Sequence, residues 1–225
     1  MKRLIFAALA GLFLMTSCNL GEDVYTITNL SEFVTVKGET LIDDYGNMLQ
    51  VTEDKTDKGW KTDDKRLLAQ FDIVNRNLDI TLKAYNNVII QTPELYTPAE
   101  DEAPMDPVAI QDASITAKGY LNIILGYYAK PETDCPHNIT LGYNQDGATL
   151  NFYLMHDGNG ENPAKMNADL LKEYYRIYSF PISGIFESDD LRDIFLQCDV
   201  LASDNDGNYS VVKKIARLYS GNVVF

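Results

Sequence analysis

Few residues in this chain are suited to catalysis in water. Of its 225 residues only two are histidines, His137 and His156. Neither stands in a Gly-x-Ser-x-Gly elbow, and no His-Glu-x-x-His pair occurs. Cys135-Pro136-His137 brings two soft ligands together, but zinc takes three or four, so His156 and either Cys198 or a carboxylate would have to complete the set. Adjacent carboxylates recur at Asp43-Asp44, Asp63-Asp64 and Asp189-Asp190. A glycosidase would hold two carboxyls roughly 5–9.5 Å apart across a sugar ring, one of them in an apolar pocket, whereas neighbouring aspartates in polar loops are ordinarily solvated. Asp204-Asn205-Asp206-Gly207-Asn208 opens like a calcium loop, but its glycine takes the fourth position instead of the sixth, and the twelfth is Ile215. An Asp-Gly hairpin turn explains it better. The expectation is a non-enzymatic protein with no catalytic residues, no metal and no cofactor.

Recognition has better material, with 14 tyrosines, 9 phenylalanines and one tryptophan. Tyrosine joins apolar area to a polar tip and serves both strands and interfaces. Trp60, between Gly59 and Lys61 in a polar loop, is the candidate contact for a protein partner or a glycan. The alternative is that its indole folds back onto the end of its own domain.

The start of the chain speaks to location. Lys2 and Arg3 precede an apolar run from Leu4 to Met15, then Thr16, Ser17 and Cys18. The run is too short to span a bilayer, which takes roughly twenty residues, and fits the apolar core of a lipoprotein signal peptide over residues 1–17. Cys18 is then the lipidation site and 18–23 an anchor segment, placing the chain at the outer membrane on its periplasmic face or at the cell surface. Attachment would rest on acyl chains, each buried methylene contributing about 0.8 kcal/mol. Loss of Lys2 and Arg3 leaves 17 basic residues against 33 acidic ones. Such a charge repels phosphate backbones and anionic headgroups, so nucleic acid is excluded as a partner. Cys135 and Cys198 form a candidate disulfide in an oxidising compartment, although Cys198 shares the face of Ile194, Leu196 and Val200 and also reads as a buried small hydrophobe.

Period-2 alternation dominates what must position these residues. Leu67, Ala69, Phe71 and Ile73 alternate with polar neighbours including Arg66, and so do Ile80, Leu82 and Ala84; Asn75-Arg76-Asn77 between them predicts a hairpin. With Val34, Val36, Leu49 and Val51 upstream, a small β-barrel or sandwich is expected over 24–92. Four prolines and several acids make 93–107 a linker. A β-sandwich follows over 108–225: Ile115 to Leu125 read as one alternating run, then Ile139–Tyr143, Leu150–Leu154, Tyr174–Ser183, and a closing hairpin of Ile194–Leu201 with Tyr209–Tyr219. The stretch Asn162-Pro163 to Glu173 is the one helix candidate.

With the lipobox, Arg66-Leu67-Leu68-Ala69-Gln70-Phe71-Asp72-Ile73 and Tyr178-Ser179-Phe180-Pro181-Ile182, the chain resembles the NigD-like lipoproteins of Bacteroidetes over essentially its whole length. The resemblance implies an all-β fold, an N-terminal OB-like small barrel followed by a C-terminal antiparallel β-sandwich. It also implies a bacteriocin immunity role exercised through a partner, and it brings no catalytic residues. A surface glycan-binding lipoprotein is the alternative.

Overall fold

The computed structural model describes residues 25–57, 59–99, 105–131, 137–185 and 193–218. The expected signal peptide and anchor segment, with Cys18, and also Cys135 and Asp189-Asp190 lie outside the described residues. Five strands build the first unit: β1 (Ile27–Lys37), β2 (Thr40–Asp43), β3 (Met48–Asp54), β4 (Arg66–Ile73) and β5 (Asp79–Asn87). They close into a barrel in the order β1-β2-β3-β5-β4, with β3 parallel to β5 and β1 antiparallel to β4. This five-stranded Greek-key closure is the OB-like barrel that the resemblance implied. Its interior holds Val34, Val36, Leu41, Leu49, Leu67, Phe71, Ile80 and Leu82, the inward halves of the alternating strands.

One inward assignment changes. Ala84 faces solvent, because Gln70 pairs with Ala84 while Phe71 pairs with Leu82, leaving Lys83 as an extra residue. A bulge of one residue reverses the side-chain alternation beyond it, and Tyr85 packs against the core instead.

The sandwich begins earlier than the linker reading allowed. β6 (Ile89–Ile90) and β7 (Glu94–Leu95) join two different sheets. One sheet is ordered β6-β12-β9-β8, with β8 (Ala109–Ile115), β9 (Tyr120–Ala129) and β12 (Lys172–Pro181). The other is β14-β13-β11-β10-β7, with β10 (Asn138–Asp146), β11 (Thr149–Asp157), β13 (Asp193–Ser203) and β14 (Tyr209–Leu218). Neighbours are antiparallel except at β6–β12, β7–β10 and β11–β13. The boundary between units therefore falls near residue 88, and the described part of 93–107 lies against the sandwich. Tyr96 N–H donates to the Tyr143 carbonyl at 2.8 Å, Met105 N–H to the Asp199 carboxylate at 2.6 Å and Val108 N–H to the Asp199 carbonyl at 2.9 Å. Gly142 makes room for this crossing: a Cβ there would stand 2.5 Å from Tyr96 Cβ.

Two further expectations are corrected. The run Ile115–Leu125 is two strands, split by a turn in which Gly119 N–H donates to the Thr116 carbonyl at 2.9 Å with φ +76°. The helix expected over 162–173 is absent; that stretch contains a single 3-10 turn, Ala168–Leu170, and the start of β12. A segment so short is marginal as a helix unless packing rescues it, and no residue of this turn is buried.

The two units meet at Arg66. Its side chain points out of the barrel yet is 1% exposed, because the sandwich covers it. Nη1 and Nη2 donate to the two Asp44 carboxylate oxygens at 2.9 and 2.5 Å, and Nε donates to Ser179 Oγ at 2.7 Å. Nη2 also reaches Asn122 Oδ1 at 3.2 Å, and Tyr120 lies 4.0 Å from the guanidinium carbon to the ring centroid. Asp44 comes from the barrel, and Asn122, Ser179 and Tyr120 come from β9 and β12. A guanidinium, with five donors in a rigid fork, can be buried when its partners are all in place, as here.

Candidate functional site

Trp60 is not a contact residue. It is 0% exposed and belongs to the barrel core. Its Nε1–H donates to Asp54 Oδ2 at 2.9 Å, while Asp54 Oδ1 accepts from the Thr56 amide and hydroxyl at 2.8 and 2.7 Å. In the β3–β4 connection Gly59 N–H donates to Asp57 Oδ1 at 3.0 Å, just before the ring that enters the barrel core. Burial of a large apolar surface with its one polar atom satisfied outweighs leaving the indole in water. The alternative weighed from the sequence, an indole folded onto its own domain, is the one the structure adopts.

The two histidines do come together. His137 immediately precedes β10 and His156 is an inward residue of β11, and the pairing of Ile139 with His156 sets their rings side by side. His137 Nδ1 lies 2.8 Å from His156 Nε2, and His137 Nε2 lies 3.3 Å from Glu161 Oε2. Tyr127 packs on both rings, with centroids 5.0 and 5.2 Å away. Burial, reinforced by His137, holds the His156 pKa below its usual value. Glu161 is held below the ordinary carboxylate range, chiefly by the Lys130 backbone N–H that donates to it at 2.8 Å. Among the described residues the hydrogen bonds of the imidazoles go to each other and to a carboxylate, so the pair can pass a proton but is hydrogen-bonded to no described hydroxyl or thiol. Nor do the groups converge on a metal. The facing nitrogens point at one another and Glu161 sits on the far side of His137, and among the described residues no three His, Cys, Asp or Glu side chains could hold an ion. Cys198 is a buried thiol, free in the structure, which burial raises to about 11.

Beside this cluster Asp106 organises the loop after β11. Its carboxylate accepts from Gly158 N–H at 2.9 Å, Gly160 N–H at 2.7 Å, Asn162 Nδ2 at 2.7 Å and Lys165 Nζ at 3.2 Å. Those donors hold its pKa low despite burial.

Exposed tyrosines mark the surface. On the outer face of the β9–β12 pair, Tyr175 stands opposite Gly126, where a Cβ would approach the ring to 3.1 Å. The missing side chain lets the ring lie on the sheet while 48% of the residue stays in solvent. Glu173, on the same face, raises the phenol pKa. Tyr45 in the β2–β3 turn is more exposed still, at 76%. Alternation along β12 identifies Tyr175 as outward, but nothing local to it reveals the glycine on the neighbouring strand.

Residues 88–190 match the profile of the NigD-like C-terminal beta sandwich domain, from β6 through β12. Over those residues the second unit is similar to the NigD-like C-terminal beta sandwich domain. The β13–β14 hairpin lies beyond the matched residues, yet supplies two of the five strands in one sheet of the NigD-like sandwich. No curated protein matches the chain. Solved structures share its fold over more than four-fifths of the chain. A NigD-like immunity protein from Bacteroides caccae is 21% identical, with a TM-score of 0.56 over 84% of this chain and 93% of that one. A DUF1344 protein of unknown function from Bacteroides vulgatus is 17% identical, with a TM-score of 0.58 over 83% and 90%. A protein from Bacteroides fragilis named as a candidate lipoprotein is 15% identical, with a TM-score of 0.58 over 86% and 98%. At these identities the likeness shows the fold, in which the NigD-like domain is carried with a barrel. Among the described residues no helix is long and apolar enough to cross a membrane.

Proposed function

We propose that this chain is a non-enzymatic, lipid-anchored envelope protein that acts by binding a partner, in an immunity-type role against a bacteriocin. The observation that carries the reading is the fold shared, barrel and sandwich together, with a structure named as a NigD-like immunity protein over 84% of this chain. The chemistry agrees with it. Among the described residues the histidines are hydrogen-bonded to each other and to Glu161 and not to a nucleophile, whereas Tyr175 and Tyr45 offer exposed aromatic area on an acidic protein. Aromatic anchors within an acidic surface suit a cationic protein or peptide, drawn in by electrostatic steering that salt weakens. Attachment through Cys18 at the outer membrane would confine the protein to the surface such a partner must cross.

The test compares a Bacteroides host lacking the gene with the same host carrying the full chain or a Cys18→Ala form, each challenged with bacteriocin-containing supernatants of sibling strains. Protection by the full chain that fails with Cys18→Ala is expected. Equal killing with and without the full chain would sink the immunity reading. Glycan binding is the second reading, favoured by the Tyr175 ring lying on Gly126 with Glu173 alongside, since sugars stack on such platforms. Retention on a glycan panel that Tyr175→Ala abolishes would support it, and no retention of the intact protein would remove it.

A further inference from the structure

We propose that the His137–His156 pair is a proton-operated latch, which holds loop 158–165 on the sandwich while the pair carries at most one extra proton and releases it when the second arrives. The latch operates whichever partner the protein binds.

The geometry carries it. Two imidazole nitrogens 2.8 Å apart can share one hydrogen between them. If both facing nitrogens are protonated, two N–H groups and two positive charges oppose each other and the contact cannot persist. The first proton has a counter-charge, because Glu161 faces the other nitrogen of His137 at 3.3 Å. Among the described residues the second has only the charge of Asp106, which favours it weakly against burial and the charge of His137. Asp106 is tied to His156 through its N–H, which donates to the His156 carbonyl at 2.9 Å, but its carboxylate is already occupied by two backbone amides, Asn162 and Lys165.

The other groups around the pair oppose a second charge or are neutral. From β9 come Tyr127 and, at its end, Lys130, whose ammonium lies 3.6 Å from Glu161. From β12 come Tyr174, stacked on Tyr127, and Arg176, 5.9 Å from the Tyr127 ring centroid. Lys165 adds a further cation from the loop itself, and Asp157 next to His156 is exposed.

The pair is also mechanically tied to the loop. A Cβ on Gly158 would meet His137 Nδ1 at 2.8 Å and His156 Nε2 at 2.9 Å, so this backbone rests on the hydrogen bond itself. Rings that part must displace Gly158, and Gly158 is one of the donors that bind the loop to Asp106. The sign follows from the lowered His156 pKa. The unfolded or opened state takes up the proton first, so latch stability is complete above the ordinary value of 6.5 and is lost as pH falls from there through the lowered value.

Amide hydrogen exchange on the full chain tests the latch, with rates corrected for the intrinsic pH dependence. Between about pH 7.5 and about pH 5, protection over 157–165 should fall on the order of tenfold or more. The barrel strand Asp79–Asn87 should stay level over that range. His137→Gln, which keeps a hydrogen-bonding group but cannot take the charge, should flatten the response. Protection in the loop that is level with pH, or that falls equally in the barrel, would overturn the proposal, and both outcomes can be read on the unmodified protein should the variant not fold.

Discussion

Arg66→Met is the substitution that tests the architecture most directly. Arg66 is buried between the units, with Asp44 on its own side and Ser179, Asn122 and Tyr120 on the other. Removing the guanidinium strands the Asp44 carboxylate, which is 5% exposed. Breaking one half of a buried ion pair costs about 3–5 kcal/mol. The desolvated contact with Tyr120 contributes up to about 2 kcal/mol more, partly offset by methionine packing. A net loss near 4 kcal/mol is expected, a large share of the roughly 5–15 kcal/mol by which domains are stable. Because the bonds to Ser179 and Asn122 and the contact with Tyr120 cross between units, the damage should also appear as a loss of coupling. Urea unfolding followed separately by Trp60 fluorescence, for the barrel, and by near-ultraviolet tyrosine dichroism should change from coincident transitions to separated ones. The double variant Arg66→Met with Asp44→Leu removes both charges together and should regain at least half of the loss, while Ser179 still donates to Asn122. A single-variant loss below about 1 kcal/mol, the scale of an exposed pair, would refute the reasoning. So would coincident transitions in the single variant.

Three further outcomes are expected. Trp60→Ala should destabilise the barrel by about 3–5 kcal/mol, by chemical denaturation, as cavity formation in a core does. Binding of any partner should persist wherever that variant remains folded. Gly142→Ala, which drives a Cβ toward Tyr96, should lower stability by about 1–3 kcal/mol and raise exchange at the Tyr96 amide. Cys198, buried and raised to about 11, should resist alkylation at about pH 8 in the native protein and react promptly after denaturation, with mass analysis under non-reducing conditions reading whether it is bonded to Cys135.

Alternation made the strands legible. Leu67, Phe71, Leu121, Phe152 and Phe180 lie inside where a period of two puts them, since one face of each strand must leave water. Turn chemistry was equally local: Asp204 accepts the Asp206 and Asn208 amides at 2.9 and 2.8 Å, as a hairpin turn requires. Where one residue breaks the period, as at Lys83, or a glycine folds the chain, as at Gly119, the pattern continues on paper while the side chains do not follow.

By itself, then, the sequence determined an all-β chain of two units, because burial by alternation is a property of short segments. Only the tertiary structure decided which polar residues are buried and together. Arg66 and Ser179 are 113 residues apart, and His137 and His156 are 19 apart on neighbouring strands. Trp60 sits in a polar loop and Tyr175 in an ordinary strand, yet one is enclosed and the other laid open on Gly126. Such pairings depend on strand register and on how the barrel covers the sandwich. Their free energy lies in contacts between distant segments, which no local spacing records.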